Sequence, residues 1–320
     1  MAATVPSKLL IIGATGVIGR YITNAILTSK SISSLSQVSI LTSPATVSNP
    51  AKEPLLLSWK SKGLKIITGD INNTDDVRNA YKDVDTVISA LGRGGLLEQI
   101  KLLRLAEESR SVQWFFPSEY GTDIEYDETS KDEKPHQNKL RVRAFIREHI
   151  KRVKVTYVVT GPYADMFLDY KPGFESAGGY DAKNKEAVLV GDGDDRIGFT
   201  TMPDVGKFVV AALANPQTAQ NKALKVQSFV VTAKEVLAEF EKQTGSKFDV
   251  KYTSKDGLKQ TEQKLWAEGN PSATLYTLRR IWSDGKTLYT KTDNESLGVK
   301  PDDLEPLSAV VGRAVRGEGF

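Results

Sequence analysis

The stretch LLIIGATGVIGRYI, near the N-terminus, constrains the fold more than any other part of the sequence. An apolar strand pattern ends at Ile12, three glycines follow as Gly13, Gly16 and Gly19, and a helical pattern begins directly afterwards. Glycines permit a tight turn and let the backbone approach a pyrophosphate, which the N-terminus of the helix binds through its N–H groups and dipole. Because a strand and a helix flank the glycines, the motif predicts a dinucleotide-binding βα unit rather than an ordinary turn.

Short apolar stretches alternate with helical patterns through residues 1–160. Strands are predicted at Lys8–Ile12, Val38–Thr42, Lys65–Thr68, Thr86–Ser89, Trp114–Phe116 and Val155–Val159. Helices are predicted near Ile18–Thr28, Asp75–Tyr81, Leu96–Glu107 and Gln137–Ile150. This alternation, with strands rich in Val and Ile, predicts an α/β fold with a doubly wound parallel sheet of the Rossmann type. We assign residues 1–160 to this cofactor-binding domain.

The pattern changes after Gly161, where Gly, Pro, Tyr and Asp become frequent. A hairpin is predicted over KEAVLVGDGDDRIGFT, residues 185–200. Helices are predicted near Pro203–Ala214, Ala233–Thr244 and Ser254–Glu268. Residues 161–320 are therefore predicted to form mainly a smaller α+β substrate-binding lobe, with some segments returning to the Rossmann sheet.

Composition narrows the classes of partner. The charges are nearly balanced, with 43 Lys and Arg against 40 Asp and Glu in 320 residues, which favours neither nucleic acid nor an acidic membrane. The absence of cysteine excludes disulfides, thiolate metal sites and cysteine nucleophiles, and no metal site is predicted. Apolar runs are too short for a signal sequence or a membrane span. We expect a cytoplasmic monomer or homodimer whose partner is a small-molecule substrate.

The end of the second predicted strand bears on the choice of nicotinamide cofactor. NAD sites usually place an Asp or Glu there, on the 2′-hydroxyl of the ribose. This strand instead ends in Leu41, Thr42 and Ser43, and the absence of a carboxylate favours NADP(H). Thr42 and Ser43 can donate hydroxyl hydrogen bonds. Lys52 can supply positive charge to a 2′-phosphate, although a solvated loop lysine is the alternative interpretation.

Several motifs occur in the order found in one enzyme group. The stretches GATGVIG, TVSNPAK, FFPSEYG, KLRVRAFI and GPYADMF begin at residues 13, 46, 115, 139 and 161. On these motifs the chain resembles the isoflavone reductase-like and NmrA-like group of atypical short-chain dehydrogenases/reductases. Plant members of that group reduce phenylpropanoids of secondary metabolism. The resemblance implies that Lys52 binds the 2′-phosphate, while Thr42 or Ser43 stands where the group has an NADPH-binding arginine.

Lys139 occupies an unusual position on its predicted helix. It lies on the same stripe as Val142, Ile146 and Ile150, the face that a surface helix normally turns inward. A lysine is rarely buried without a partner. The pattern therefore predicts either a functional lysine or one that extends to solvent or pairs with a carboxylate such as Glu119.

The tyrosine that normally accompanies such a lysine is missing. Typical short-chain dehydrogenases use a Tyr-x-x-x-Lys pair, but position 135 is a proline, and none of the 11 tyrosines has a lysine four residues later. Burial and a nearby positive nicotinamide ring lower the pKa of a lysine, which can then exchange a proton with substrate. The resemblance implies that Lys139 is the catalytic lysine of the group.

Other candidate site residues follow the predicted strands, at the carboxyl edge where open α/β sheets bind ligands. His136 is a second catalytic candidate, as a proton relay or a substrate hydrogen-bond partner, unless it is simply a polar residue at the helix start. The predicted cofactor site comprises Gly13, Thr15, Gly16, Val17, Ile18, Gly19, Thr42, Ser43, Lys52, Ser89, Ala90, Leu91, Ser118, Lys139, Pro162 and Tyr163. The predicted substrate pocket comprises Glu119, Tyr120, Tyr163, Met166 and Phe167.

Two further patterns have simple structural interpretations. Phe167 and Trp282 are candidate pocket aromatics, with core packing as the alternative for each. The basic residues around the lysine helix could suggest nucleic acid, but acidic neighbours and the lack of a motif favour a solvated helix face. These residues are Arg141, Arg143, Arg147, Lys151, Arg152 and Lys154.

Together these features predict an NADPH-dependent reductase. Hydride is expected to pass to a conjugated C=C, quinone-methide-like or C=N group of a small aromatic or heterocyclic substrate, because these groups accept hydride without a tyrosine acid. An NmrA-like redox sensor, which binds the dinucleotide and acts through a partner protein without turnover, is the alternative. Retention of the lysine favours the enzyme.

Overall fold

The structure, a computed structural model, describes residues 3–318. Its strands are β1 (Lys8–Ile12), β2 (Gln37–Thr42), β3 (Lys65–Thr68), β4 (Thr86–Ser89), β5 (Trp114–Phe116), β6 (Lys154–Val159), β7 (Gly179–Asp181), β8 (Glu186–Val190), β9 (Arg196–Phe199), β10 (Lys222–Lys225), β11 (Phe229–Thr232) and β12 (Asp249–Thr253). Its α-helices are α1 (Gly19–Thr28), α2 (Pro44–Val47), α3 (Glu53–Ser61), α4 (Thr74–Tyr81), α5 (Glu98–Glu108), α6 (Gln137–His149), α7 (Ala164–Leu168), α8 (Met202–Ala214), α9 (Pro216–Ala219), α10 (Ala233–Thr244), α11 (Lys255–Ala267), α12 (Ala273–Ser283) and α13 (Leu307–Val315).

Seven strands form one parallel sheet in the order β10-β6-β5-β4-β1-β2-β3. The chain runs outward from β1 through β2 to β3, then returns to place β4 on the other side of β1. This reversal leaves a crevice at the carboxyl ends of β1 and β4, the place where open α/β sheets bind ligands. The predicted Rossmann sheet is therefore confirmed, including all six strands expected in the first half.

The alternation of side chains along the central strands builds two apolar layers. Leu9 and Ile11 pack into the layer on one face of the sheet, while Leu10 and Ile12 pack into the layer on the other. All four are at most 1% exposed. Helices cover both faces, so a central strand must be apolar on both sides. This explains why the strands appear in the sequence as continuous apolar runs.

Two small sheets and five helices form a unit that we call the lobe. The sheets are β7-β8-β12 and the pair β9-β11, and their core includes Phe199, Phe240 and Trp282. The helices are α7, α10, α11, α12 and α13. Not all of the second half belongs to the lobe, because β10 joins the parallel sheet beside β6 and α8 packs against α1. None of the helices within residues 3–318 combines the length and the hydropathy that a membrane span requires.

The prediction of a hairpin over residues 185–200 is wrong. Its two strands belong to different sheets, because β8 pairs with β7 and β12 whereas β9 pairs with β11. In the turn between them, Gly191 and Gly193 have φ of +66° and +81°. The N–H of Gly191 donates to the carbonyl of Thr253, and the carbonyl of Gly193 accepts from the N–H of Lys234. These bonds direct the turn toward β12 and α10 instead of closing a hairpin.

Close packing of α8 on α1 gives a test of the fold. A Cβ at Gly206 would lie 2.6 Å from the carbonyl oxygen of Tyr21 and 2.7 Å from Cβ of Ala25, so Gly206→Ala must push the helices apart. We expect a loss of about 2 kcal/mol in the free energy of unfolding, measured by urea titration. The matched control is Gly312→Ala in α13, whose nearest neighbours at 3.2 Å are the ends of two flexible side chains. Helix propensity should leave this control as stable as the wild type or slightly more stable; equal losses in both variants would contradict the interpretation.

Candidate active site

The glycine loop lies against the segment that follows β4. Gly13 has φ of +81°, and a Cβ there would lie 2.7 Å from the carbonyl oxygen of Ala90. A Cβ at Gly19 would lie 2.1 Å from the carbonyl oxygen of Gly13. Neither position has room for a side chain, so the glycines bring the loop, the start of α1 and the end of β4 together. Thr15, Gly16, Val17 and Ile18 complete the loop between β1 and α1.

The segment after β2 reaches back to the glycine loop. Thr42 ends β2, and Ser43 caps α2 by accepting a hydrogen bond from the N–H of Thr46 at 3.2 Å. Lys52 precedes α3, and its Nζ donates to the carbonyl oxygen of Thr15 at 3.1 Å. The ammonium of Lys52 therefore lies at the glycine loop and not in bulk solvent, and no carboxylate follows β2 before Glu53.

Hydrogen bonds join the segment after β4 to the segment after β5. The hydroxyl of Ser118 donates to the carbonyl oxygen of Leu91 at 2.7 Å. The N–H of Ser118 donates to Oε1 of the buried Gln99 at 2.6 Å. Ser89 is fully buried at the end of β4, and its hydroxyl has no hydrogen-bond partner among residues 3–318. Ser118 thus orders the edge of the crevice, and sequence reasoning missed the supporting Gln99.

The segment Pro117–Gly121, which follows β5, also binds the end of β6. The N–H groups of Thr160 and Gly161 both donate to the carbonyl oxygen of Gly121, at 3.1 and 2.9 Å. The hydroxyl of Tyr163 donates to the carbonyl oxygen of Tyr120. Tyr120 is itself buried, and its own hydroxyl has no partner in the described part of the chain.

Lys139 turns inward from α6 toward this segment. Its Nζ donates to the main-chain oxygen of Glu119 at 3.0 Å and lies 3.9 Å from Oε2 of the same residue. The side chain is 17% exposed. Burial lowers the pKa of Lys139 to about 8; the charges of Arg93 and Arg143 act in the same direction, and Glu119 opposes them. Near neutral pH the lysine is therefore charged but close to the point at which it releases its proton.

The carboxylate of Glu119 is paired with an arginine and not primarily with the lysine. Arg143 donates from Nε to Oε1 at 3.1 Å and from a terminal nitrogen to Oε2 at 3.2 Å. Arg143 is 3% exposed, so the solvated helix face predicted for it is wrong. It lies four residues after Lys139 and shares its side of the helix, and the buried glutamate needs a charged partner. The spacing of four residues between Lys139 and Arg143 is the signal in the sequence that indicates a buried arginine.

His136 is buried just before α6. Its Nδ1 lies 3.0 Å from the carbonyl oxygen of Ser130, to which it can only donate. Its Nε2 is then the acceptor nitrogen, and it is buried without a partner among the described residues. Burial lowers the pKa of His136, with Lys139 and Arg93 acting in the same direction. The imidazole is thus a neutral group that can accept a hydrogen bond.

The remaining predicted residues divide between the crevice and the core. Pro162 and Tyr163 follow β6, and Met166 is 38% exposed on α7. Phe167 is buried, with its ring centroid 4.7 Å from that of Phe199, and Trp282 donates from Nε1 to the hydroxyl of Thr122. Core packing, the alternative considered for both aromatics, is what the structure shows.

Arg93 is a second residue that sequence reasoning missed. It lies in the turn directly after β4 and is exposed. Its charge contributes to the pKa of Lys139, His136 and Tyr163. These residues come from two other parts of the chain. Across residues 3–318, no group of side chains is suited to hold a metal ion. The arrangement can therefore combine a dinucleotide crevice with a proton donor of lowered pKa and a neutral imidazole.

Comparison with known proteins gives one consistent result. The profile of the NmrA-like family matches residues 6–286. An isoflavone reductase from Pisum sativum is 30% identical over 291 residues, covering 87% of this chain and 88% of that protein. The crystal structure of an isoflavone reductase superposes with a TM-score of 0.79 at 26% identity, covering 97% of this chain and 100% of the other. The binary complex of leucoanthocyanidin reductase with NADPH, from Vitis vinifera, has the same fold, with a TM-score of 0.78, 20% identity and coverage of 97% and 100%.

The buried imidazole predicts a specific dependence of stability on pH. Because the pKa of His136 is lowered in the folded state, protons bind the unfolded chain more tightly. The neutral imidazole of His136 contributes fully to stability above its unfolded pKa of about 6.5. This contribution is lost as the pH falls through the lower folded pKa. We expect His136→Gln to lose less free energy of unfolding than the wild type between about pH 7 and about pH 5. Urea titrations at both pH values measure this.

The exposed His149 provides the matched control. His149→Gln should lose as much free energy of unfolding between the two pH values as the wild type does. If His136→Gln also matches the wild type, the imidazole does not carry the pH dependence.

Proposed function

Since the chain belongs to the NmrA-like family, we propose that it is an NADPH-dependent reductase with an isoflavone reductase-like site. Its substrate is a small aromatic or heterocyclic molecule that carries a conjugated C=C, quinone-methide-like or C=N group. The observation that carries the proposal is the ammonium of Lys139, largely buried and of lowered pKa, at the carboxyl edge of the sheet. Its relatives support the class of reaction, since those compared are reductases.

The crevice fits NADPH on two grounds. Gly13 and Gly19 leave only main chain where any larger residue would collide with neighbouring backbone, which lets a pyrophosphate approach the start of α1. Lys52 places a cation at the loop through its bond to Thr15, in a region where an NAD site would have a carboxylate. Lys52 would therefore hold the 2′-phosphate, and the structurally similar leucoanthocyanidin reductase was solved with NADPH.

A chain of contacts connects the glycine loop to the lysine. Gly13 packs on Ala90, Leu91 accepts from Ser118, and the next residue, Glu119, holds Lys139. The proton donor and the cofactor loop thus belong to one continuous edge of the crevice. This continuity supports placing the reacting carbon of the substrate between them.

NADPH, when held by the glycine loop and Lys52, would supply a hydride for an electron-poor carbon of the substrate. The electron pair displaced from the double bond moves to the atom at its far end, and Lys139 gives that atom a proton from Nζ. A pKa of about 8 makes this transfer easier than from an ordinary lysine. Because no tyrosine precedes Lys139 by four residues, substrates that delocalise the charge are favoured over simple ketones.

Lys52 gives a test of cofactor choice. We expect Lys52→Ala to raise the Kd of NADPH by about tenfold, because a charge-assisted bond to the 2′-phosphate is lost, and to leave the Kd of NADH unchanged. Titration calorimetry with both nucleotides measures the two constants. Lys60→Ala, at an exposed position in α3, is the control and should alter neither constant. An equal loss of affinity for both nucleotides would contradict the role of Lys52.

Lys139 gives the test of the reductase itself. Lys139→Met keeps an unbranched side chain, one atom shorter, but has no proton to give, so we expect kcat to fall by at least about 100-fold while the Kd of NADPH changes little. NADPH consumption with enone, imine and quinone-methide-forming substrates measures kcat. In the wild type, kcat/KM should fall above about pH 8, as Lys139 loses its proton.

The control for this substitution is Lys131→Met, at an exposed lysine, which should retain full activity. Tight binding of NADPH without turnover across the whole panel would contradict the proposal. If Lys139→Met also left the biological activity intact, the NmrA-like redox sensor would be the better description.

A further inference from the structure

Charged groups from three parts of the chain influence the pKa of Lys139. Glu119 comes from the Pro117–Gly121 segment, Arg143 from α6 itself, and Arg93 from the turn after β4. His136 lies one turn earlier; burial lowers its pKa, and the charge of Lys139 acts in the same direction. Glu119 is the one anion in this set, so the proton of Lys139 depends on where that carboxylate is held.

The carboxylate has two cations near it and accepts hydrogen bonds from only one of them. Both of its oxygens accept hydrogen bonds from Arg143, at 3.1 and 3.2 Å. Lys139 lies 3.9 Å from the nearer oxygen and binds the neutral main-chain carbonyl of Glu119 instead, at 3.0 Å. A bidentate arginine pair is directional, so the carboxylate is oriented toward Arg143 and away from the lysine.

Arg143 is itself fixed on two further sides. A terminal nitrogen donates to Glu125 at 2.7 Å, and Arg147 holds the other oxygen of Glu125 at 2.8 Å. The guanidinium lies over the ring of Tyr157, 4.7 Å from its centroid. Arg143 is 3% exposed, so its guanidinium has little room to move to another position. The pair is therefore a rigid support beneath Lys139.

The alternative arrangement would disable the lysine as an acid. Without Arg143, a carboxylate that is 1% exposed would have Lys139 as its nearest cation and would form a full ion pair with it. Such a pair raises the pKa of a lysine by about one unit or more, and the proton could then leave only by breaking the pair. The carboxylate must be neutralised by another group if Lys139 is to give its proton to substrate.

We propose that Arg143 is a positioning residue for proton transfer, which holds the Glu119 carboxylate so that Lys139 stays on the main-chain carbonyl and can release its proton. This inference rests on the proposed function, since it explains how the lysine of a reductase is tuned. Arg143 touches neither substrate nor cofactor in this scheme. Its effect passes through Glu119.

The test measures the proton affinity of Lys139 without any turnover. Brief labelling with acetic anhydride across a pH series, followed by peptide mass spectrometry, gives the midpoint at which Lys139 becomes reactive. We expect Arg143→Gln to move this midpoint up by about one pH unit, because the carboxylate then pairs with the lysine. Glu119→Gln should move it down, because Arg143 remains without its anion. The double variant should lie close to the wild type.

Arg147, which contacts the far side of Glu125, supplies a matched control. Arg147→Gln removes a charge of the same type from α6, but Arg147 contacts Glu125 and its side chain is 59% exposed. Its labelling midpoint should equal that of the wild type. In the active enzyme, the fall of kcat/KM at high pH should follow the labelling midpoint in every variant, and Arg143→Lys should restore part of the wild-type profile.

An unchanged midpoint in Arg143→Gln, even with reduced stability, would overturn the proposal and leave Arg143 a purely structural residue. If Arg143→Gln does not fold, Glu119→Gln decides alone, since a midpoint equal to or above that of the wild type contradicts the scheme. Failure of the proposed function gives a different result, because the labelling shifts would occur while NADPH consumption is absent in the wild type.

Discussion

Hydrogen bonds to the five residues Pro117–Gly121 hold the candidate site together. The carbonyls of Glu119, Tyr120 and Gly121 accept, in turn, from α6, from the residue before α7 and from the end of β6. Ser118 binds in the other direction, to the segment after β4. Short loops on neighbouring parallel strands would otherwise move independently. Here a single main-chain segment fixes the relative positions of Lys139, the crevice and the base of the lobe.

Most of the first half of the fold could be predicted because its central strands are buried on both faces and most of its longer helices on one; the prediction lacks helix α3, whose apolar face is weak. Apolar runs such as LLII and the glycines that follow them leave few alternatives. Short, partly exposed strands carry no such signal, so β7, β10, β11 and β12 were not identified. The glycines of the turn at residues 191–195 were misinterpreted as closing a hairpin, since sequence shows that a chain turns but not which partner its N–H groups reach.

Residues of the candidate site could be predicted where their type is unusual for their position in a strand, turn or helix. Gly13 and Lys139 have positions that ordinary packing does not explain, and both lie at the crevice. Arg143 was misassigned because a basic residue among other basic residues resembles a solvated surface. Its position four residues after Lys139 hints that it is buried, but its pairing with Glu119, 24 residues earlier, is evident only once the fold is known. Pairing between distant charges is a property of the fold, and a single sequence does not display it.

Strand β10 has a consequence for how this chain can be made and recombined. It comes from residues 222–225, yet it forms the edge of the parallel sheet beside β6. During synthesis, β6 therefore presents an unpaired edge until more than 60 further residues have left the ribosome, and open edges invite association with other chains. A chimaera that exchanges everything after residue 160 between relatives would replace this strand too. Crossovers that respect the sheet must keep β10 with the half that precedes it.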